Sequence, residues 1–402
     1  MKSSSLTALG LYFLFLVYLP FTGYSYVSIR GGAQIIDKDV RAAVVLVLFA
    51  MIAALFVLTR KVDSVPRCVI GLGSFFLYGL AISAMRNSPQ EYVSYFLRIA
   101  SFVLIFWMAY SWAKRDREDW WRFARNIVLG SSLIYVAESL IDLLAGRALA
   151  MNGAIRFPGS LGSPPGYASV CMIFLLANAY FLIRTRSKVH LALSLLLVVC
   201  SFLTGTRAIA VAGLLVLSLT VIAYHRSVYL RVILLLVTFS IAPLAIGWVL
   251  NNTEIGSRVA LSFGDQGNDT STNFRLMILS TYFSHISTSQ FMFGLGIGGF
   301  PKWFEAQTGI QDVGPHFEFL WALSELGVVG SAIYILALFG GARLVLSRRS
   351  QASRAERISA LILIFSQQLI FQFTNPLYFY QLCLPALFML GGTLGSERGR
   401  NT

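Results

Sequence analysis

Apolar runs of about 17–25 residues recur along the whole chain, parted by short polar stretches rich in Lys and Arg. At the helical rise per residue, each run is long enough to cross a hydrocarbon core of roughly 30 Å. Twelve runs fit, at about 6–26, 41–59, 67–85, 91–112, 123–146, 167–183, 188–204, 208–224, 230–250, 317–345, 357–374 and 377–395. They are continuous rather than alternating at every second residue, so they predict helices and not the strands of a barrel. The pattern predicts an all-α polytopic membrane protein of about twelve transmembrane helices. It forms a single membrane domain over 1–402, with the long polar segment 251–316 inserted between spans nine and ten.

Two polar segments break the rhythm. The first, Gly146 to Ala168, is dense in Gly and Pro, with Arg156-Phe157-Pro158-Gly159-Ser160 followed by Gly162-Ser163-Pro164-Pro165-Gly166. That density predicts a shaped loop or re-entrant turn in place of a regular helix. The second, 251–316, is too long to be a mere connection. Within it, Ser271 or Thr272 is placed to cap a helix from Asn273 to about Ser287, with Phe274, Met277, Ile278 and Tyr282 as its apolar stripe. Such a helix suits the interface above a membrane bundle, and Gly294-Leu295-Gly296-Ile297-Gly298-Gly299 then makes a turn. No internal repeat of fixed period is present.

Composition agrees with the pattern: hydrophobic residues make up 56% and charged residues 12%. The net charge of +14 has a topological origin. If the N-terminus is inside, roughly two-thirds of the 32 Lys and Arg fall in the short inner segments, including Lys114, Arg115, Arg117, Arg184, Arg186, Lys188, Arg343 and Arg348. Both termini are then cytoplasmic and 251–316 is outside. Cations scattered in this way form no basic domain, so nucleic acid is not an expected partner. The first run has no small-residue cleavage site and reads as a retained span. Cys68, Cys171, Cys200 and Cys383 lie in or beside apolar runs without metal-ligand spacing, which predicts packing and no metal site.

Candidate chemistry collects on the outer side. His316, in Gly314-Pro315-His316-Phe317, directly precedes span ten, whose start carries Glu318 and then Glu325. Its imidazole can take a proton from a hydroxyl at neutral pH. Arg258, Arg275 and Lys302 precede it in the same segment. Arg156 lies in the Gly/Pro-rich loop, and Arg207, in Thr204-Gly205-Thr206-Arg207, sits where two spans meet with almost no loop. Arg98, two turns into span four, is costly at membrane depth and requires a partner or a wet cavity. Guanidinium forks match phosphate oxygens, so the set predicts a phosphate-bearing anionic ligand. His190 and His225 fall on the cytoplasmic side, and His285 belongs to the predicted loop helix. Asp37-Lys38-Asp39 is a short acidic pair of the kind that holds divalent metal in many glycosyltransferases. The glycine run follows no strand and is discounted as a nucleotide fingerprint.

These segments, in this order, resemble the bacterial O-antigen ligase and O-antigen polymerase superfamily. The resemblance rests on Arg156 with Gly159 and Pro164; on Thr204-Gly205-Thr206-Arg207; on Arg275 followed by Phe293-Gly294-Leu295-Gly296-Ile297-Gly298-Gly299-Phe300; and on Pro315-His316 with Leu320, Glu325, Leu326, Gly327 and Gly330. It covers about residues 150–340, and the earlier part by topology alone. The family usually has Asn after the histidine, where Phe317 stands here.

The resemblance implies a multi-pass protein of the bacterial inner membrane with its active site in the periplasm. It implies an inverting, metal-independent transfer of a glycan from undecaprenyl diphosphate to a sugar hydroxyl, with no cofactor. The donor is the lipid-linked glycan, and the acceptor is the lipid A–core or a growing glycan. His316 would be the base, with Arg207 and Arg275 on the diphosphate. Arg156, Arg98, Lys302 and Glu325 would bind substrate, and Asp37 and Asp39 would be bystanders. Ligase and polymerase share this chemistry. No glycine stands eleven residues after Arg156, Arg207 or Arg275, so the R-x10-G spacing of polymerase loops is absent, which favours the ligase. A reading of another class is a proton-coupled transporter or flippase. It is motivated by Glu138 and Asp142 one turn apart in span five and by Gln367, Gln368 and Gln372 in span eleven.

Overall fold

A computed structural model of the chain describes residues 3–22, 67–87, 89–146, 149–151, 154–157, 164–225, 270–311, 313–315, 318–346 and 380–396, with a few further positions between these stretches. Helix α1 runs through Ser3–Tyr12, a π-helical turn Phe13–Tyr18 and Leu19–Thr22. The bundle continues with α2 (Arg67–Arg86), α3 (Pro89–Arg115), α4 (Arg117–Leu144), α5 (Pro164–Thr185), α6 (Lys188–Leu203) and α7 (Arg207–Tyr224). Three short helices follow, α8 (Thr270–His285), α9 (Thr288–Phe293) and α10 (Phe300–Thr308), then α11 (Glu318–Leu346) and α12 (Tyr380–Ser396). The predicted span 41–59, most of 230–250 and 357–374, and Asp37, Asp39, Arg258, Gln367, Gln368 and Gln372 lie outside the described residues.

Three helical stretches among the described residues are long and apolar enough to cross a membrane: Arg117–Leu144, Pro164–Thr185 and Phe319–Leu336. The second is the hub. Its apolar window is completely buried, and α4, α6, α7 and α12 pack around it. A helix covered on every side must be apolar on every side, which is how α5 reads. Outward faces are apolar as well: Leu195, Leu196 and Val199 of α6, and Val211, Leu215 and Leu219 of α7, are exposed. A soluble protein rarely shows water so large an apolar band; lipid accepts it.

Helix ends sort by charge. At one end Arg184 of α5 lies 3.8 Å from Glu118 of α4 and 4.6 Å above the ring of Trp121. Arg125 Nε donates to His190 Nε2 at 3.4 Å, so the imidazole carries its proton on Nδ1, which meets Asn178 Oδ1 at 2.7 Å. Arg186 donates to the carbonyl of Tyr224, the last residue of α7. The basic loops expected on one side therefore meet there. His190 is fully buried and belongs to this structural network.

The described parts of the two polar segments lie at the other end, and they depart from expectation in three ways. Two short strands pair antiparallel, β1 (Leu149–Met151) with β2 (Ala154–Arg156), Leu149 opposite Arg156. Helix α5 starts at Pro164, earlier than the apolar run suggests. Proline is tolerated in a first turn, where its missing N–H would have had no partner. The loop helix stops at His285, and a separate α9 follows, capped by Ser287. Its Oγ accepts from Gln290 N while Gln290 Oε1 accepts from Ser287 N, a capping box written in the sequence as Ser-x-x-Gln. The expected stripe of α8 is spent on protein. Ile278 and Tyr282 are fully buried with Leu295, Phe300, Phe304, Val313, Leu320 and Leu323, so α8–α10 form a cap on the first turns of α11.

Candidate functional site

The turn between α6 and α7 is built by its own side chains. Thr204, fully buried, donates from Oγ1 to Ser201 O at 2.7 Å and accepts from Thr206 N at 3.2 Å. Gly205 takes φ +65, a left-handed conformation that costs a residue with a Cβ about 1–2 kcal/mol. The bare face of this glycine receives Arg156: a Cβ there would stand 3.3 Å from Arg156 Cγ and 3.6 Å from its Nε. The backbone agrees, since Phe157 N donates to Leu203 O at 3.3 Å. Two segments about fifty residues apart in sequence are thus one corner.

Arg156 is only 8% exposed, and its Nε has no hydrogen-bond partner among the described residues. A buried guanidinium donor left unmatched is costly, and it marks a place where an anion from outside the chain would be welcome. The floor of the corner is α4 and α5. Tyr167 lies under Gly159, and its hydroxyl meets Ser139 Oγ at 3.0 Å and the carbonyl of Tyr135. Glu138 and Asp142, one turn apart on α4, are buried at the same end. Helix α7 begins at Arg207, while the side chains of Arg207 and Arg98 lie outside what is described.

A second assembly faces outward at this end, where the glycine run docks on α11. Leu295 N donates to Ser324 O and Gly296 N to Glu325 O, both at 2.8 Å. This contact needs glycine on both sides. Helix α11 breaks at Gly327 (φ 68, ψ −173), where a Cβ would stand 2.4 Å from Met292 O. Gly294 answers with φ 88, and its Cβ would meet Glu325 O at 2.2 Å. Glu325 itself is 1% exposed, and Oε2 accepts from Gly298 N at 2.9 Å and Trp321 Nε1 at 2.5 Å. Expected on substrate, this carboxylate is turned inward and holds the glycine loop.

The remaining predicted residues divide. Arg275 is half-buried on α8, and Lys302 is exposed on α10. His316 falls outside the described residues, between Pro315 and the start of α11. Tyr282 donates from its hydroxyl to Leu323 O at 3.2 Å, and burial pushes that hydroxyl up to about 12, so it stays a donor. The outer end of α2 was missed by sequence reasoning. Ser83 Oγ accepts from Ile297 N at 2.7 Å, Asn87 Nδ2 donates to Ile297 O at 3.4 Å, and Arg86 donates to Ser289 O at 3.3 Å. Polar groups ending an apolar span just where the next begins were the available signal. Among the described residues, no group of His, Cys, Asp and Glu is arranged to hold a metal.

An apolar helical bundle with a small helical cap at the end opposite its basic loops is the build of a membrane protein. Residues 191–335 match the family model described as O-antigen ligase, so this stretch is similar to that family, as the resemblance in the sequence implies. The match takes in the Thr204–Arg207 turn, Arg275, the glycine loop, His316 and Glu325, and leaves Arg156 and Arg98 before it. No curated protein matches the chain at a significant level.

Proposed function

We propose that the protein is a ligase-type glycosyltransferase of the bacterial inner membrane, acting on its periplasmic face with both termini in the cytoplasm. In this reading the fold has about twelve spans, and 251–316 is the periplasmic insertion in one membrane domain. The observation that carries the proposal is the Arg156–Gly205 contact. It seats a buried guanidinium with an unmatched Nε on the turn that leads into Arg207, inside the family's matched stretch.

Arg156 and Arg207, with Arg275 and assisted by Arg98, hold the diphosphate of an undecaprenyl-linked glycan. An acceptor hydroxyl of the lipid A–core attacks the anomeric carbon from the face opposite the diphosphate. The C–O bond to the diphosphate breaks and its electron pair leaves with the lipid carrier. The hydroxyl proton passes to His316, and the new glycosidic bond has inverted configuration. Fixed cations near the leaving oxygens stabilise the charge that develops there. Lys302 lies toward the glycan. Glu325 acts through the glycine loop, as a positioning residue.

The test is surface glycan on lipid A–core in cells carrying His316→Ala or Arg275→Ala. Losses of about 10²–10⁴-fold for the base and about 10²-fold for the arginine are expected, with membrane levels unchanged. Wild-type ladders from inserted variants would overturn the assignment. The same chemistry serves a polymerase; a deletion strain whose lipopolysaccharide carries single repeats would select that reading. Buried Glu138 and Asp142 are what a proton-coupled transporter would use. Lipid flipping by the purified protein without glycan transfer would favour it.

A further inference from the structure

Between the outer end of α2 and the cap lies an open cleft of about 410 Å³. Arg86 and Asn87 come from α2, Gln290 from α9, Gly299 from the glycine loop, and Lys302 and Trp303 from α10. None of the lining side chains is a carboxylate. From these groups we infer that the cleft binds an acidic sugar, a saccharide bearing carboxylate or phosphate.

Each wall supplies something such a ligand requires. Arg86 is pinned by its bond to Ser289 O, so its guanidinium waits in place and loses little freedom when it meets an anion. Lys302, on α10, adds a second positive charge. The carbonyl of Gln290 is occupied by the Ser287 cap, through Ser287 N at 3.2 Å and Oγ at 3.0 Å. That leaves its amide hydrogens for sugar oxygens, and Asn87 adds a second amide. Trp303 is propped by Tyr282 and Phe300, each with ring centroids 5.8 Å away, and offers a rigid apolar surface to the C–H side of a pyranose ring. Gly299 lines the cleft as bare backbone, and a Cβ there would stand 2.5 Å from Leu295 O. Two cations, two amides and one aromatic plate in an open trough suit a charged hydrated ring better than a lipid tail.

The site lies on elements other than the Arg156–Gly205 corner. It deepens the transferase reading by giving the charged part of a glycan a seat, and that is the only point at which it rests on that reading. Binding of a free saccharide requires no transfer, so the two ideas fail separately.

The experiment uses full-length protein in nanodiscs and four probes: tetragalacturonate, neutral galactotetraose, glucose 6-phosphate and glucose. Binding is read by saturation-transfer NMR and titration. Tetragalacturonate or glucose 6-phosphate should bind, and whichever does so assigns carboxylate or phosphate; the neutral partners should bind at least about tenfold more weakly. Lys302→Glu, on an exposed side chain, should weaken acidic binding by about tenfold or more with Tm unchanged, and Arg86→Ala should do the same. Equal binding of acidic and neutral probes, no binding of either acidic probe, or full affinity in Lys302→Glu would overturn the inference. In a transfer assay, a KM rise confined to the acceptor assigns the seat to it, and one confined to the donor assigns it there. Intact acidic binding in a protein that transfers nothing would leave the cleft standing and remove the transferase.

Discussion

Arg156 shows how much a single side chain can reveal. Burying a guanidinium with Nε unmatched works against stability, so its retention calls for a ligand. Arg156→Leu should therefore leave the Tm of the purified protein unchanged or raise it, while glycan transfer falls about 10²-fold. A parallel drop in Tm and activity would make Arg156 a structural residue instead. At this scale the sequence was a mixed guide. Arg156 and the Thr204–Arg207 turn were recognisable from turn chemistry, but their contact was not, because nothing in either segment encodes the other's position. Glu325 stood out as an acid at the start of a span, and what the chain could not disclose is that Gly298 and Trp321 use its oxygen. Arg86 carries no motif in the sequence, and only its contact with Ser289 beside the glycine loop gives it a place.

Among elements, the docking of the glycine loop on α11 is the most demanding. Gly327 and Gly294 both adopt backbone angles open almost only to glycine, and each faces the other segment's carbonyl. Gly327→Ala should loosen the cap, read as faster hydrogen exchange and proteolysis across 270–315 while α5 stays protected. Gly73→Ala, on α2 with nothing within 4 Å of a new Cβ, should change neither and serves as the control. Uniform exchange in both variants would mean that the cap does not depend on this contact. Element type was largely legible here: apolar runs gave helices, and the Phe274–Tyr282 stripe marked a real one. Boundaries were less so. Pro164 could open α5 because a first turn needs no N–H there, and the break after His285 follows from a capping box that competes with helix continuation. The strands Leu149–Met151 and Ala154–Arg156 are too short to show strand alternation and left no pattern to read.

For the whole molecule, the difference between the two ends of the bundle is the organising fact. Basic loops meet at one end, and the strand pair, the Gly205 turn and the cap meet at the other. Placing the cap outside makes a direct prediction in intact cells. Lys302→Cys should react with an impermeant maleimide, whereas Lys188→Cys should react only after permeabilisation; the described native thiols Cys171, Cys200 and Cys383 are buried and silent. Labelling in the reverse order would turn the molecule over and end the periplasmic reading.

The linear chain by itself determined that this is a helical membrane protein, that its described apolar runs are helices and that Arg125, Arg184 and Arg186 gather at one end of the bundle. Those properties follow from transfer of residues between water and lipid, a cost each segment meets alone. Only the tertiary structure decided that Arg156 lies on Gly205, that Glu325 serves the glycine loop and that Arg86 joins Lys302 across a cleft. Those are contacts between segments far apart in sequence, created by packing, and no local preference carries them.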